Sequence, residues 1–181
     1  MKILAFIIGG IGIVIGLLLL PLPKHTTLYD VYTADYYLTK STGIKHTLTI
    51  VESERINARI IMNPSYTHIY INTGLIEAME PDEVASVLAH ELGHYKTVVL
   101  KDKRALYTLI GYGIKDIDVD IAREMEADLE GAMIMMEAGY NPFASLYAFD
   151  SWPNKWPAAL ERMSALNLYL RDSRLIYKLG V

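Results

Sequence analysis

The chain begins with an unbroken apolar run. Ile3 to Leu20 are 18 consecutive uncharged residues, fourteen of them large apolar or Ala and four Gly, bracketed by Lys2 and by Pro21, Pro23 and Lys24. At about 1.5 Å per residue, such a run is just long enough to cross a bilayer as a helix. A cleaved signal peptide is the competing reading, but its apolar core usually covers about 7–15 residues, and no small-x-small site lies between Leu20 and Lys24. Residues 1–23 are therefore read as an uncleaved anchor, with Gly12 and Gly16 spaced so that two such helices can pack closely or simply scattered in an apolar helix. Lys2 on one side and Lys24 with His25 on the other leave the orientation open.

Beyond the two prolines the period shifts. Leu28, Val31, Tyr32 and Leu38 recur near helical spacing between a Thr26 or Thr27 cap and Gly43, which predicts a helix leading away from the anchor. Thr47–Val51, Ile56–Met62 and Thr67–Ile71 are rich in β-branched and aromatic residues and separated by polar or Asn-Pro breaks, so three short strands are expected, forming a small, mostly antiparallel sheet. From Gly74 the pattern is helical. Pro81-Asp82-Glu83 suits a first turn, and Val84, Val87, Leu88, Leu92 and Tyr95 follow on one face. Further helices are expected over Lys101 to Gly113 and over Asp118 to Ala138, the latter stopped by Gly139-Tyr140-Asn141-Pro142, and from Pro157 through Leu160, Met163, Leu166 and Leu170. Strands followed by helices predict an α+β fold: an anchor (1–23), one domain (24–171) and a short tail (172–181).

Composition narrows what that domain does. With 181 residues there is room for one compact domain, and 52% hydrophobic against 21% charged residues with a mean hydropathy of +0.21 excludes a disordered chain. A net charge of -4 does not recommend a polyanion, so nucleic acid is not an expected partner. The chain has no cysteine, which excludes disulfides, thiolate metal sites, cysteine nucleophiles and lipidation through a cysteine. Any metal must be held by His, Asp or Glu. Thirteen tyrosines with Trp152 and Trp156 scatter along apolar faces and near the expected membrane surface, where core packing and interfacial anchoring account for them.

The informative string is His90-Glu91-Leu92-Gly93-His94 within a predicted helix. Two histidines four apart leave one helical face and can reach one ion at about 2.0–2.1 Å from each nitrogen. Glu91, one position on, is displaced sideways, where its carboxylate can touch a water without ligating the metal. A catalytic zinc site needs a third protein ligand. A third histidine six residues on is absent, because that position is Leu100, so the candidates are carboxylates. In Arg123-Glu124-Met125-Glu126-Ala127-Asp128, Glu124 and Asp128 share a face with Ala127 and Gly131 beside them, small residues that let two helices approach. One carboxylate as ligand and a second, one turn on, accepting the other N–H of a ligating imidazole would complete such a site. Glu126 and Glu130 are read as solvated charges. His68, on a strand, is a further ligand candidate on chemistry alone.

Taken together, these motifs resemble the HtpX-like and CAAX-prenyl-protease-like membrane zinc peptidases and their short relatives, the minigluzincins. The resemblance rests on Asn57-Ala58 in a strand, Thr73-Gly74-Leu75 before a helix, Glu83 to His94, Glu124-x-x-Ala127-Asp128, Gly139-Tyr140-Asn141-Pro142, and Trp156-Pro157 followed by Glu161-Arg162-Met163, over roughly residues 28–168. It implies one Zn2+ per chain held by His90, His94 and Glu124, with Glu91 as general base and Asp128 orienting a ligand. It also implies that Asn57, Ala58 and Arg162 meet the substrate, an extended polypeptide laid on the edge strand by main-chain hydrogen bonds. Where the family commonly has His-Pro, this chain has Trp156-Pro157, so the oxyanion donor is open among an indole N–H, Arg162 and a tyrosine. One anchor in place of several spans fits the short architecture better than an intramembrane chamber. The expected activity is membrane-anchored zinc-dependent peptide hydrolysis, with membrane lipid and polypeptides as partners. The alternatives are a tethered zinc-fold protein that binds extended peptides without cleaving them, and a structural membrane protein that binds no metal.

Overall fold

The computed structural model describes residues 25–62, 65–114, 117–151 and 158–172. Ile3–Leu20, Trp156-Pro157 and the tail beyond Asp172 lie outside them. The order is α1 (Leu28–Thr42), β1 (Thr47–Val51), β2 (Ala58–Met62), β3 (Thr67–Asn72), α2 (Thr73–Ala78), α3 (Pro81–Val98), α4 (Arg104–Gly111), α5 (Val119–Ala138), α6 (Ala144–Ser151) and α7 (Ala159–Leu170). This is the expected α+β architecture, and among the described residues no helix is long and apolar enough to cross a membrane.

The sheet differs from the expectation of a mostly antiparallel one. Its order is β1-β3-β2, with β1 parallel to β3 (Thr47 opposite His68) and β2 antiparallel to it (Ala58 opposite Ile71). A crossing loop is the reason. Residues 52–57 pass from β1 over the end of β3 to reach its far side, held by Thr73, whose hydroxyl donates to the Ser53 carbonyl and accepts from the Ser53 N–H, both at 3.0 Å. The Gly74 N–H donates to the same carbonyl at 2.8 Å. A Cβ on Gly74 would lie 2.3 Å from the Glu54 carbonyl oxygen, so the crossing requires glycine there. The crossover leaves β2 as an edge strand.

Thr27 caps α1 in a reciprocal box with Asp30, and Gly43 closes the helix at φ 69°. Its buried side is Val31, Ala34 and Leu38, whereas Leu28 and Tyr32, expected on the apolar face, are exposed. β3 alternates strictly, with Thr67, Ile69 and Ile71 inward and His68 and Tyr70 on the outer face. α3 is the central element, buried from Val84 to Gly93. Acids in its first turn face the positive end of the helix, and the Glu80 N–H donates to Glu83 at 3.0 Å. One core gathers α1, the sheet, α2, α3 and α6; a second gathers α4 and α7; α5 contributes to both, with Ile134 and Met135 in the first and Met125, Leu129 and Ala132 in the second. In α7 the buried face is Arg162, Ala165, Leu166, Tyr169 and Leu170; Leu166 and Leu170 are buried as expected, Met163 is half-buried and Leu160 is exposed.

Candidate metal centre

The site is built where α3 crosses α5. His90 and His94 stand one turn apart on α3, Glu124 and Asp128 one turn apart on α5, and the small residues fall between them. A Cβ on Gly93 would lie 2.5 Å from the Ala127 carbonyl oxygen, and one on Gly131 would lie 3.0 Å from the His90 backbone. The two backbones touch there, so side chains one turn to either side are brought to a common point.

At that point His90 Nε2 lies 3.6 Å from Glu124 Oε2, and His94 Nε2 lies 3.4 Å from Glu124 Oε1. One donor atom from each of the three residues falls within 4.8 Å of the others. Ligands on a tetrahedral zinc, with bonds of about 2.1 Å, are about 3.4 Å apart, and both His–Glu separations are close to that value. Behind these atoms, His90 Nδ1 meets Asp128 Oδ1 at 2.9 Å. Arg162 grips Asp128 with two hydrogen bonds of 2.7 Å, from Nε to Oδ2 and from Nη2 to Oδ1, and its Nη1 lies 3.0 Å from Glu124 Oε2. That chain of contacts turns the Nε2 of His90 forward.

The electrostatics ask for a cation. Glu91 and Asp128 are buried and Glu124 is partly so, against the single positive charge of Arg162. With neutral imidazoles this leaves two uncompensated negative charges, which a divalent ion would cancel. Without metal, two of the groups, His90 and Glu91, are shifted toward holding protons. Burial pulls the His90 pKa down, but the bonded Asp128 carboxylate and nearby Glu124 and Glu91 outweigh it and raise it to about 9. Burial and the adjoining His90 charge push His94 down to about 4. Burial raises the pKa of Glu91 despite the His90 charge and the Ile60 backbone N–H that favour its ionised form. For Asp128, burial is outweighed by the His90 and Arg162 hydrogen bonds and charges, and its pKa falls. Two imidazoles and a carboxylate suit zinc.

A cleft of about 920 Å³ opens beside His94 and Glu124, walled by Met62 of β2, Val98 of α3 and Ile121 of α5. Ala58 begins the edge strand, and Asn57 precedes it, its carbonyl accepting from the Asn72 N–H at 3.0 Å. Arg162 corrects an expectation: it is completely buried and spent on Asp128 and Glu124, so it does not face the substrate. Glu130 corrects another, since it is fully buried against Lys96 Nζ at 2.9 Å and Arg104 Nη2 at 3.0 Å rather than solvated. His68 bonds Thr49 at 2.7 Å and stacks on Tyr70 outside the metal cluster. The Ile60 N–H contact to Glu91 had no signal in the sequence. Arg162 had one: a cation within the apolar spacing of α7 needs a buried counterion.

Two histidines and a glutamate on crossed helices beside an edge strand form a donor set that suits a zinc ion. Residues 34–108, which include the two histidines and Glu91, match the model of Peptidase family M48. The matched segment is less than half of the chain; Glu124, Asp128 and Arg162 lie outside it and rest on the geometry alone. No curated protein matches the chain.

Proposed function

We propose that the chain is a membrane-anchored zinc endopeptidase of the short minigluzincin type within the M48 metallopeptidases, with residues 1–23 as anchor, 24–171 as catalytic domain and 172–181 as tail. The observation that carries the reading is the convergence of donor atoms of His90, His94 and Glu124 within 4.8 Å of one another, with buried Glu91 beside them. Bound zinc would supply a Lewis acid that polarises a carbonyl and acidifies water toward a pKa of about 7. The edge of β2 receives the substrate as an added strand, setting the scissile bond over these donor atoms. Glu91 takes the proton of the attacking water at its carboxylate and hands it to the leaving amine; its raised pKa lets it hold that proton between the two transfers. Asp128 accepts the Nδ1–H of His90 and keeps the Nε2 lone pair forward, and Arg162 fixes Asp128 in place.

The test is casein cleavage by full-length protein in detergent, with bound zinc measured in wild type and in Glu91→Gln. A fall of about 10²–10⁴-fold in turnover with zinc near one per chain in both is expected. Cleavage by Glu91→Gln near the wild-type rate would overturn the base assignment.

A further inference from the structure

Helix α1 carries its side chains in an unusual arrangement for a surface helix. Val31, Ala34 and Leu38 form its buried stripe, while Tyr29, Tyr32, Tyr36 and Tyr37 are 78%, 52%, 60% and 45% exposed. At about 100° per residue the four tyrosines occupy an arc of about 140°, centred opposite the buried arc of about 60°. Thr33 and Lys40 fall inside the tyrosine arc and no carboxylate does. Both acids of the helix sit outside it and are engaged locally: Asp30 accepts from the Thr27 N–H at 2.8 Å, and Asp35 meets His46 Nε2 at 2.5 Å. A face turned to bulk water is ordinarily built from Lys, Glu and Asp. One built from tyrosines with a lysine near one end has the composition of side chains at a bilayer–water boundary, where an apolar ring and a polar hydroxyl are both satisfied.

The position of α1 in the chain names the occupant. Six residue steps separate Leu20, the end of the uncharged run, from Thr26, a reach of about 20 Å at most. At Thr26 the chain is already fixed to the body of the domain, its hydroxyl donating to the Met79 carbonyl at 2.5 Å. If Ile3–Leu20 is in a bilayer, the start of α1 lies within that reach of the surface.

We propose that the tyrosine face of α1 lies in the headgroup region of the membrane holding the anchor, so that the catalytic domain rests on the bilayer through a second contact and does not swing on a free tether. This rests on the anchor reading above. It gives the enzyme a fixed posture, in which polypeptides are reached at a set distance from the lipid surface.

The lack of cysteine makes the test direct. Full-length protein in phosphatidylcholine vesicles would carry a thiol-linked fluorophore at Thr33→Cys, at Ile11→Cys, or at Glu54→Cys as an exposed control in the loop between β1 and β2. Nitroxide lipids, labelled in the headgroup or deep in the acyl chain, serve as quenchers. The expected result is headgroup quenching at position 33, acyl quenching at 11, and loss of the first but not the second when Tyr29, Tyr32 and Tyr36 are replaced together by Ser, with zinc content and casein cleavage in detergent unchanged. Acyl quenching at 11 with position 33 as unquenched as position 54 would overturn the proposal and leave the anchor reading intact. No quenching at 11 would overturn both. Shielding at 33 that follows protein concentration and not the nitroxide would assign the face to a second copy of the chain and overturn the proposal.

Discussion

Helices α3 and α5 carry two ionic clusters, one offset from the other by six residues on each helix. His90 and Glu124 belong to the first, Lys96 and Glu130 to the second. His90, Lys96 and Glu130 are buried and Glu124 partly so, and both clusters contain an arginine: Arg162 behind the first, Arg104 at the rim of the second. They differ in where the positive charge sits. Around Glu130 the chain supplies it, with Lys96 Nζ at 2.9 Å and Arg104 Nη2 at 3.0 Å on the same carboxylate oxygen. Around Glu124 the guanidinium is held behind the carboxylates, and the lone pairs in front converge on a point that no cation among the described residues reaches. A metal centre is thus distinguished from a structural salt bridge by a missing charge at a defined place more than by its count of acids.

The largest expected effect tests whether the two arginines are equivalent. Arg162→Ala removes the partner of a buried carboxylate and should cost about 3–5 kcal/mol of stability. Glu130→Gln, which leaves Lys96 and Arg104 without their shared carboxylate, should also destabilise. Only the first should lower zinc content, measured by metal analysis after chemical denaturation curves establish that both variants fold. Loss of zinc from Glu130→Gln would erase the distinction drawn above.

Next in size is Asp128→Asn, which keeps shape but weakens the grip on His90 Nδ1 and should reduce zinc affinity about 10–100-fold by chelator competition. Unchanged affinity would remove Asp128 from the site.

The smallest effect, about tenfold per pH unit, sharpens the comparison through protons. Without metal, His90 at about 9 keeps a proton that zinc must displace. Apparent affinity should therefore climb as pH rises and flatten above about 9. The same shift stabilises the metal-free fold fully below the ordinary value near 6.5, and that contribution is lost as pH rises through about 9. Thermal melts of chelator-treated protein should show this fall; a zinc affinity independent of pH between 6.5 and 9 would mean that His90 is not the protonated group.

Local chemistry was legible in the sequence, and long-range contacts were not. The His90–His94 spacing, the small residues at Ala127 and Gly131 and the Gly139 stop each follow from rules acting within a turn or two of helix. The parallel pairing of β1 with β3 was hidden, because it depends on a loop crossing Gly74, twenty residues away from Glu54. Glu130 looked solvated because its partners, Lys96 and Arg104, come from other elements. Arg162 looked substrate-facing for the same reason: its counterions lie on α5, 34 and 38 residues earlier in the chain.

The close crossing at Gly93 and Gly131 bears on how such a chain can vary through descent. Neither glycine offers an atom to chemistry, yet a single methyl at Gly131 would press on the backbone that presents His90, and one at Gly93 on the strip between Glu124 and Asp128. Natural variation should be as narrow at these two positions as at the histidines themselves, so that part of the candidate metal site is written in residues with no side chain.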